Sequence, residues 1–233
     1  MRFNSIVAAC ALAVAALQAV ADPVSGSTSG TWVNPTSGAG IVTTGVGTPA
    51  FTWGDGSAGD TGPSSVDFAA VAGGFSTVTE TPFKVGTLTY FNGTTALGST
   101  PDSVQLALTL DFLSPTIPSV TSDYTFDIVT TSNTDDPDAS ADFLNLPSAF
   151  STTSFVIGGT TYNVKLTGFS NIVGDGFLAS DDLALHVREG GTASADLFAV
   201  VTTEVAVVPE PQSIALLLAG LGMVGGMARR RRG

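Results

Sequence analysis

The residues best placed for chemistry in this 233-residue chain are carboxylates. Asp135, Asp136, Asp138 and Asp142 crowd one polar stretch, and Asp175, Asp181 and Asp182 flank Gly174 and Gly176. Calcium takes about six to eight oxygen ligands, which carboxylates and loop carbonyls supply. Calcium is therefore the one cofactor the sequence suggests, with Asp135, Asp136, Asp138, Asp175, Asp181 and Asp182 as candidate ligands. Neither cluster has EF-hand or nonapeptide-repeat spacing. Solvated acidic loops that need no cofactor are the simpler reading. Two acids across a cleft also suffice for glycoside hydrolysis, so a secreted polysaccharide hydrolase is an alternative. Nothing in the spacing selects a pair.

Other catalytic chemistry is poorly supplied. His186 is the single histidine, placed on the alternate face of a short strand, and no nucleophile-elbow sequence accompanies it. A histidine- or cysteine-ligated zinc site needs more ligands than one histidine and one cysteine provide. A non-catalytic protein is the expectation.

The two ends carry a different chemistry, that of processing. Arg2 precedes an apolar stretch over 6–17, and Ala19 and Ala21 put small residues at the −3 and −1 positions before Asp22. Signal peptidase is the expected partner, cutting after Ala21. Cys10 lies inside the apolar stretch, so it leaves with the signal and the mature chain has no thiol. At the other end Pro209, Glu210 and Pro211 enforce an extended segment, because proline has no amide proton and restricts the residue before it. An apolar run over 214–228 follows, then Arg229, Arg230, Arg231 and Arg232. From Ser213 to Ala228 a helix reaches about 24 Å, short of a ~30 Å hydrocarbon core. Arginines at its end stay on the cytoplasmic side. The insertion expected is transient, in the inner membrane.

This order of Pro-Glu-Pro, apolar run and arginines resembles the PEP-CTERM sorting signal. The resemblance implies recognition by an exosortase in a Gram-negative bacterium that makes exopolysaccharide, with the tail removed near Pro209, Glu210 and Pro211.

Three parts follow: a signal peptide over 1–21, an exported domain over 22–207 and a sorting tail over 208–233. Of 20 acidic residues only Glu210 lies outside 22–207, leaving nineteen against Lys84, Lys165 and Arg188, a net of −16. Such a surface repels nucleic acid, which is excluded as a partner.

The elements that must position any site are strands. Val104, Leu106, Leu108, Leu110 and Phe112 alternate with Gln105, Ala107, Thr109 and Asp111, and Tyr124, Phe126 and Ile128 repeat the pattern. Phe155 and Ile157 lead through Gly158 and Gly159 to Tyr162, Val164 and Leu166, which predicts a two-residue hairpin. Further strands are expected over 30–33, 50–53, 65–71, 85–91, 183–187 and 197–207. Residues 22–30 read as a flexible lead-in and 133–142 as a loop. The fold class expected is all-β, an antiparallel two-sheet sandwich of jelly-roll type. An N-terminal signal helix and a short C-terminal transmembrane helix complete the expectation.

The segments 47–55, containing Phe51, Trp53 and Asp55, and 81–90, containing Pro82, Phe83 and Tyr90, resemble the choice-of-anchor K family. That resemblance implies a surface or extracellular module and carries over no catalytic residues. The reading adopted is an exosortase-sorted envelope or matrix protein associated with exopolysaccharide or biofilm. A calcium-dependent or carbohydrate-binding module is the alternative beside the hydrolase.

Overall fold

A computed structural model describes residues 22–146, 153–174, 176–178 and 183–204. In chain order the strands are β1 (Pro23–Val33), β2 (Thr43–Thr44), β3 (Ala50–Trp53), β4 (Ser64–Ala70), β5 (Phe75–Val78), β6 (Phe83–Phe91) and β7 (Ser103–Ser114). They continue as β8 (Val120–Val129), β9 (Asp142–Asn145), β10 (Thr153–Ile157), β11 (Thr160–Val173), β12 (Ala184–Val187) and β13 (Thr192–Glu204). Among the described residues the one helical element is a 3₁₀ turn, Gly56–Ala58, capped by the Asp55 carboxylate on Ser57 N at 2.9 Å. No helix among them is long and apolar enough to cross a membrane. The signal and tail segments lie outside the described residues.

The strands form two antiparallel sheets, ordered β12-β9-β8-β7-β1-β5 and β10-β11-β13-β6-β4-β3-β2. Side chains alternate across a strand, and both sheets turn their apolar face to one core. Val104, Leu106, Leu108 and Leu110 of β7 are fully buried there, opposite Leu88, Tyr90 and Val85 of β6. Burying each leucine is worth roughly 1.5–3 kcal/mol. The hairpin expected at Gly158 and Gly159 is present, with φ of 56° and 86° as a primed turn requires. Trp53 packs inside, between Phe51 and Tyr90, with ring centroids 5.7 Å from each.

Residues 22–30 are a correction. They are not a lead-in but most of β1, an internal strand paired to β5 and β7. Its inward positions are Val24, Gly26, Thr28, Gly30 and Trp32, and three of these are too small to register as hydrophobic. Smallness is what the packing demands. A Cβ on Gly30 would stand 2.7 Å from the Phe68 ring, and one on Gly26 only 2.2 Å from Asp111 O. Thr28 Oγ1 donates to Val85 O of the facing sheet at 2.6 Å. The stretch 133–142 also needs correcting at its end, because Asp142 opens β9 and is buried.

The ladder registers define two poles. At one, the end of β6, the start of β7 and the start of β13 come together, with Gly190 N donating to Asn92 O at 2.7 Å. At the other, the start of β1 and the end of β13 meet around Thr79 and Glu80. Asp22 N donates to Thr79 Oγ1 at 3.1 Å, and Thr203 N to Glu80 Oε1 at 2.7 Å.

Candidate functional site

A concavity of about 480 Å³ opens at the first pole. Its walls are the β6–β7 loop, the segment following β8 and the first residue of β9. Thr95, Leu97, Thr100, Asp102, Thr131 and Asp142 are among its lining residues. The β6–β7 loop is held by Ser99, whose hydroxyl donates to Ala96 O at 2.6 Å and accepts from Asp55 N at 2.8 Å. This turn leaves Leu97 fully exposed at the rim. Asp102 fixes the opposite wall by accepting Ile128 N on its main-chain oxygen at 2.9 Å. The lining is rich in threonine, with carboxylates at Asp102 and Asp142, and it contains no aromatic ring.

Asp142 forms the inner wall. Its Oδ1 accepts from Thr131 N at 2.7 Å and Thr131 Oγ1 at 3.2 Å. Burial pushes its carboxyl up to about 6; the Thr131 hydrogen bonds oppose that rise and Glu189 adds to it. Behind it stands Tyr90, fully buried, whose hydroxyl has no hydrogen-bond partner. Burial first, then the charges of Asp142 and Glu189, hold that phenol well above its usual range. The Tyr90 hydroxyl therefore sits in the field of two carboxylates.

Glu189 follows β12, its main-chain N–H held by Pro137 O at 3.0 Å. Both of its carboxylate oxygens are buried without a donor. Asn92, also fully buried, donates Nδ2 to Val187 O at 2.9 Å and to Ser140 O at 3.5 Å. Two carbonyls fix which end of the amide is nitrogen, so Oδ1 turns the other way, where no donor meets it.

Of the acidic residues singled out in the sequence Asp142 lines the cleft, whereas Asp135, Asp136 and Asp138 do not. Asp135, Asp136 and Asp138 are exposed. Asp136 Oδ1 is occupied in closing its own turn, accepting from Asp138 N at 3.0 Å and Ala139 N at 3.4 Å. Asp138 Oδ1 lies 3.0 Å from Arg188 Nε, an ion pair of proximity in which the N–H is not aligned on the carboxylate. Among the described residues no three histidine, cysteine or acidic side chains gather to hold a metal. Asp175, Asp181 and Asp182 lie outside the described residues, as do Ala19, Ala21, Pro209, Glu210, Pro211 and Arg229 to Arg232. His186 lies on the outermost strand of its sheet and stacks flat on Phe143, with centroids 3.9 Å apart.

Tyr90, Asn92 and Glu189 were not singled out as ligands from the sequence. One signal was available: Asn92 is in phase with the inward Leu88 and Tyr90, and Asp142 with Leu144 and Leu146. A polar residue on the buried parity of a strand needs a partner or a purpose.

Among known families, the PEP-CTERM protein-sorting motif matches residues 207–232. No curated protein matches the chain. The motif implies exosortase-dependent sorting of an exported protein by way of a membrane-anchored stage. It covers the tail and leaves the β-domain unassigned.

Proposed function

We propose that this chain is a non-catalytic envelope or extracellular-matrix protein of a Gram-negative bacterium, working among exopolysaccharide in a biofilm. The observation carrying this reading is the sorting motif at 207–232 behind an acidic, all-β domain. Pro209 and Pro211 keep Glu210 in an extended segment that an active-site groove can pair as a strand. The short glycine-rich stub holds the chain in the membrane only until that cut, and the four arginines keep the stub's end in the cytoplasm. The domain is then a surface module of the choice-of-anchor K kind, with jelly-roll-like connectivity. Its net negative surface keeps it hydrated and unaggregated in a polyanionic matrix.

Mass spectrometry of the protein recovered from its native host tests this reading. A chain beginning at Asp22 and ending near Pro209–Pro211 is expected, with Glu210→Ala accumulating uncut in the inner membrane. Recovery of the wild-type chain from that membrane with Arg229 to Arg232 still attached overturns it.

A second reading, a carbohydrate-binding module, is favoured by the cleft lined with Thr95, Thr100, Asp102 and Thr131. Such a lining offers paired donors and acceptors to sugar hydroxyls. Binding on a glycan array that is lost in Asp102→Ala separates it from a purely structural role.

A further inference from the structure

Buried carboxylate oxygens and buried neutral oxygens left without partners are costly to a protein interior. A buried polar atom without a partner costs about 1–3 kcal/mol, and an unpaired charge more. Four of the unpaired atoms are oxygens of neighbouring residues, namely both carboxylate oxygens of Glu189, Asn92 Oδ1 and the Tyr90 hydroxyl oxygen, and Arg188 Nε is the one unpaired buried nitrogen among the described residues. Asn92 and Tyr90 are both 0% exposed. The backbone keeps them together, since Asn92 pairs through N and O with Gly191 and Gly190, the residues next to Glu189. Asp142 contributes the second carboxylate, with Oδ1 held by Thr131.

The nearest cation does not neutralise them. Arg188 Nε is buried 3.0 Å from Asp138 Oδ1 and makes no hydrogen bond, and Glu189 keeps both oxygens free of any donor. The Glu189 carboxylate and Asn92 Oδ1 can only accept and the Tyr90 hydroxyl can turn its lone pairs to the same point, so a shared ligand must be positive or a donor. Neutral and anionic oxygens without nitrogen or sulfur are the donor set of a hard cation.

The geometry points to a calcium site between the sheets, formed by Glu189, Asp142, Asn92 Oδ1 and the Tyr90 hydroxyl. Glu189 binds through both oxygens, Asp142 through the oxygen Thr131 does not use, and water from the adjoining cleft completes the shell. The exposed loop of Asp135 and Asp136 takes no part. With two carboxylates, the affinity falls with the extracellular modules, on the order of 10⁻⁴ to 10⁻³ M. The site is independent of the sorting tail.

The test uses the full-length chain in detergent micelles, stripped with EDTA and titrated with calcium chloride by calorimetry. Saturable binding is expected, weakened by ~10-fold or more in Glu189→Gln and unchanged in Asp135→Asn/Asp136→Asn. In EDTA the Glu189→Gln variant is expected to melt no lower than wild type, because it removes an unpaired buried charge. Terbium, a calcium surrogate, supplies a direct readout: Trp53, stacked 5.7 Å from Tyr90, and Tyr90 itself sensitise terbium bound there. Luminescence that calcium displaces is expected. Four results each overturn the site: no saturable binding at millimolar calcium, binding that survives Glu189→Gln intact, binding lost in the loop variant, or terbium luminescence that calcium leaves unchanged. The first means that buried water alone satisfies these oxygens.

Discussion

The side-chain amide of Asn92, just past β6, donates to the carbonyl oxygen of Val187 on β12 at 2.9 Å and so ties the two sheets together from inside. Replacing Asn92 by alanine removes the donor and leaves a cavity beside Ser140 and Tyr90. A loss of about 1–3 kcal/mol is expected. A lowered urea midpoint with an unaltered m-value measures it. An unchanged midpoint means the sheets do not depend on this bond.

Close approach of backbones makes a second prediction. Gly26 lies in β1 where the register slips against β7, and a Cβ there meets Asp111 O at 2.2 Å. Gly26→Ala is expected to destabilise by about 1–3 kcal/mol, the usual consequence of overpacking. The neighbouring, exposed Ser27→Ala stays within about 0.5 kcal/mol. Equal effects of the two in thermal melts contradict the argument.

Trp32 combines burial with a polar contact. Its Nε1 donates to Pro49 O at 2.9 Å and its ring meets Phe126 edge-on at 5.4 Å. Phenylalanine keeps the apolar packing but loses the donor and part of the volume. Trp32→Phe should cost about 1–3 kcal/mol, read from the shift of its denaturant midpoint.

The pH dependence has two limbs of opposite sign. Asp142 is raised to about 6 by burial, against an ordinary carboxyl of ~3.9 in the unfolded chain. The folded state binds the extra proton between about pH 4 and 6, so this group lowers stability as pH rises through that window and adds no further change above it. For Asp196 burial alone would raise the pKa. Hydrogen bonds from Lys84, Asn171 and Thr87, with the Lys84 charge, outweigh burial and lower it. Its contribution is present above the ordinary carboxyl range and lost as pH falls through the lowered value. Melting in EDTA from pH 4 to 7 should show wild type losing ground to Asp142→Asn as pH rises. A constant gap between the two removes the assignment.

Strands with large inward residues were legible from the sequence, and strands with small ones were not. Val104 to Phe112 displays its parity openly, and β7 runs as that alternation predicts. β1 hides the same parity behind Gly26, Thr28 and Gly30, because Phe68 and the β7 backbone fill the space their side chains would occupy. The site was hidden for a related reason. Acidic residues close in sequence attract notice, yet Asp135 and Asp136 point to solvent. The oxygens that converge come from β6, β9 and the turn after β12, nearly a hundred residues apart from Asn92 to Glu189. Only the pairing of strands brings them together. Short β9 escaped for want of contrast, since its outward Phe143 is as apolar as its inward Leu144.

Asp22 and Thr203 leave the sandwich beside the same pair, Thr79 and Glu80, whereas the cleft opens where β7 begins, on the order of 30 Å away along that strand. Both ends of the described domain, Asp22 and Thr203, therefore stand at one pole and the cleft at the other. A domain tethered through either end, as the proposed sorting route requires, turns its cleft away from the tether.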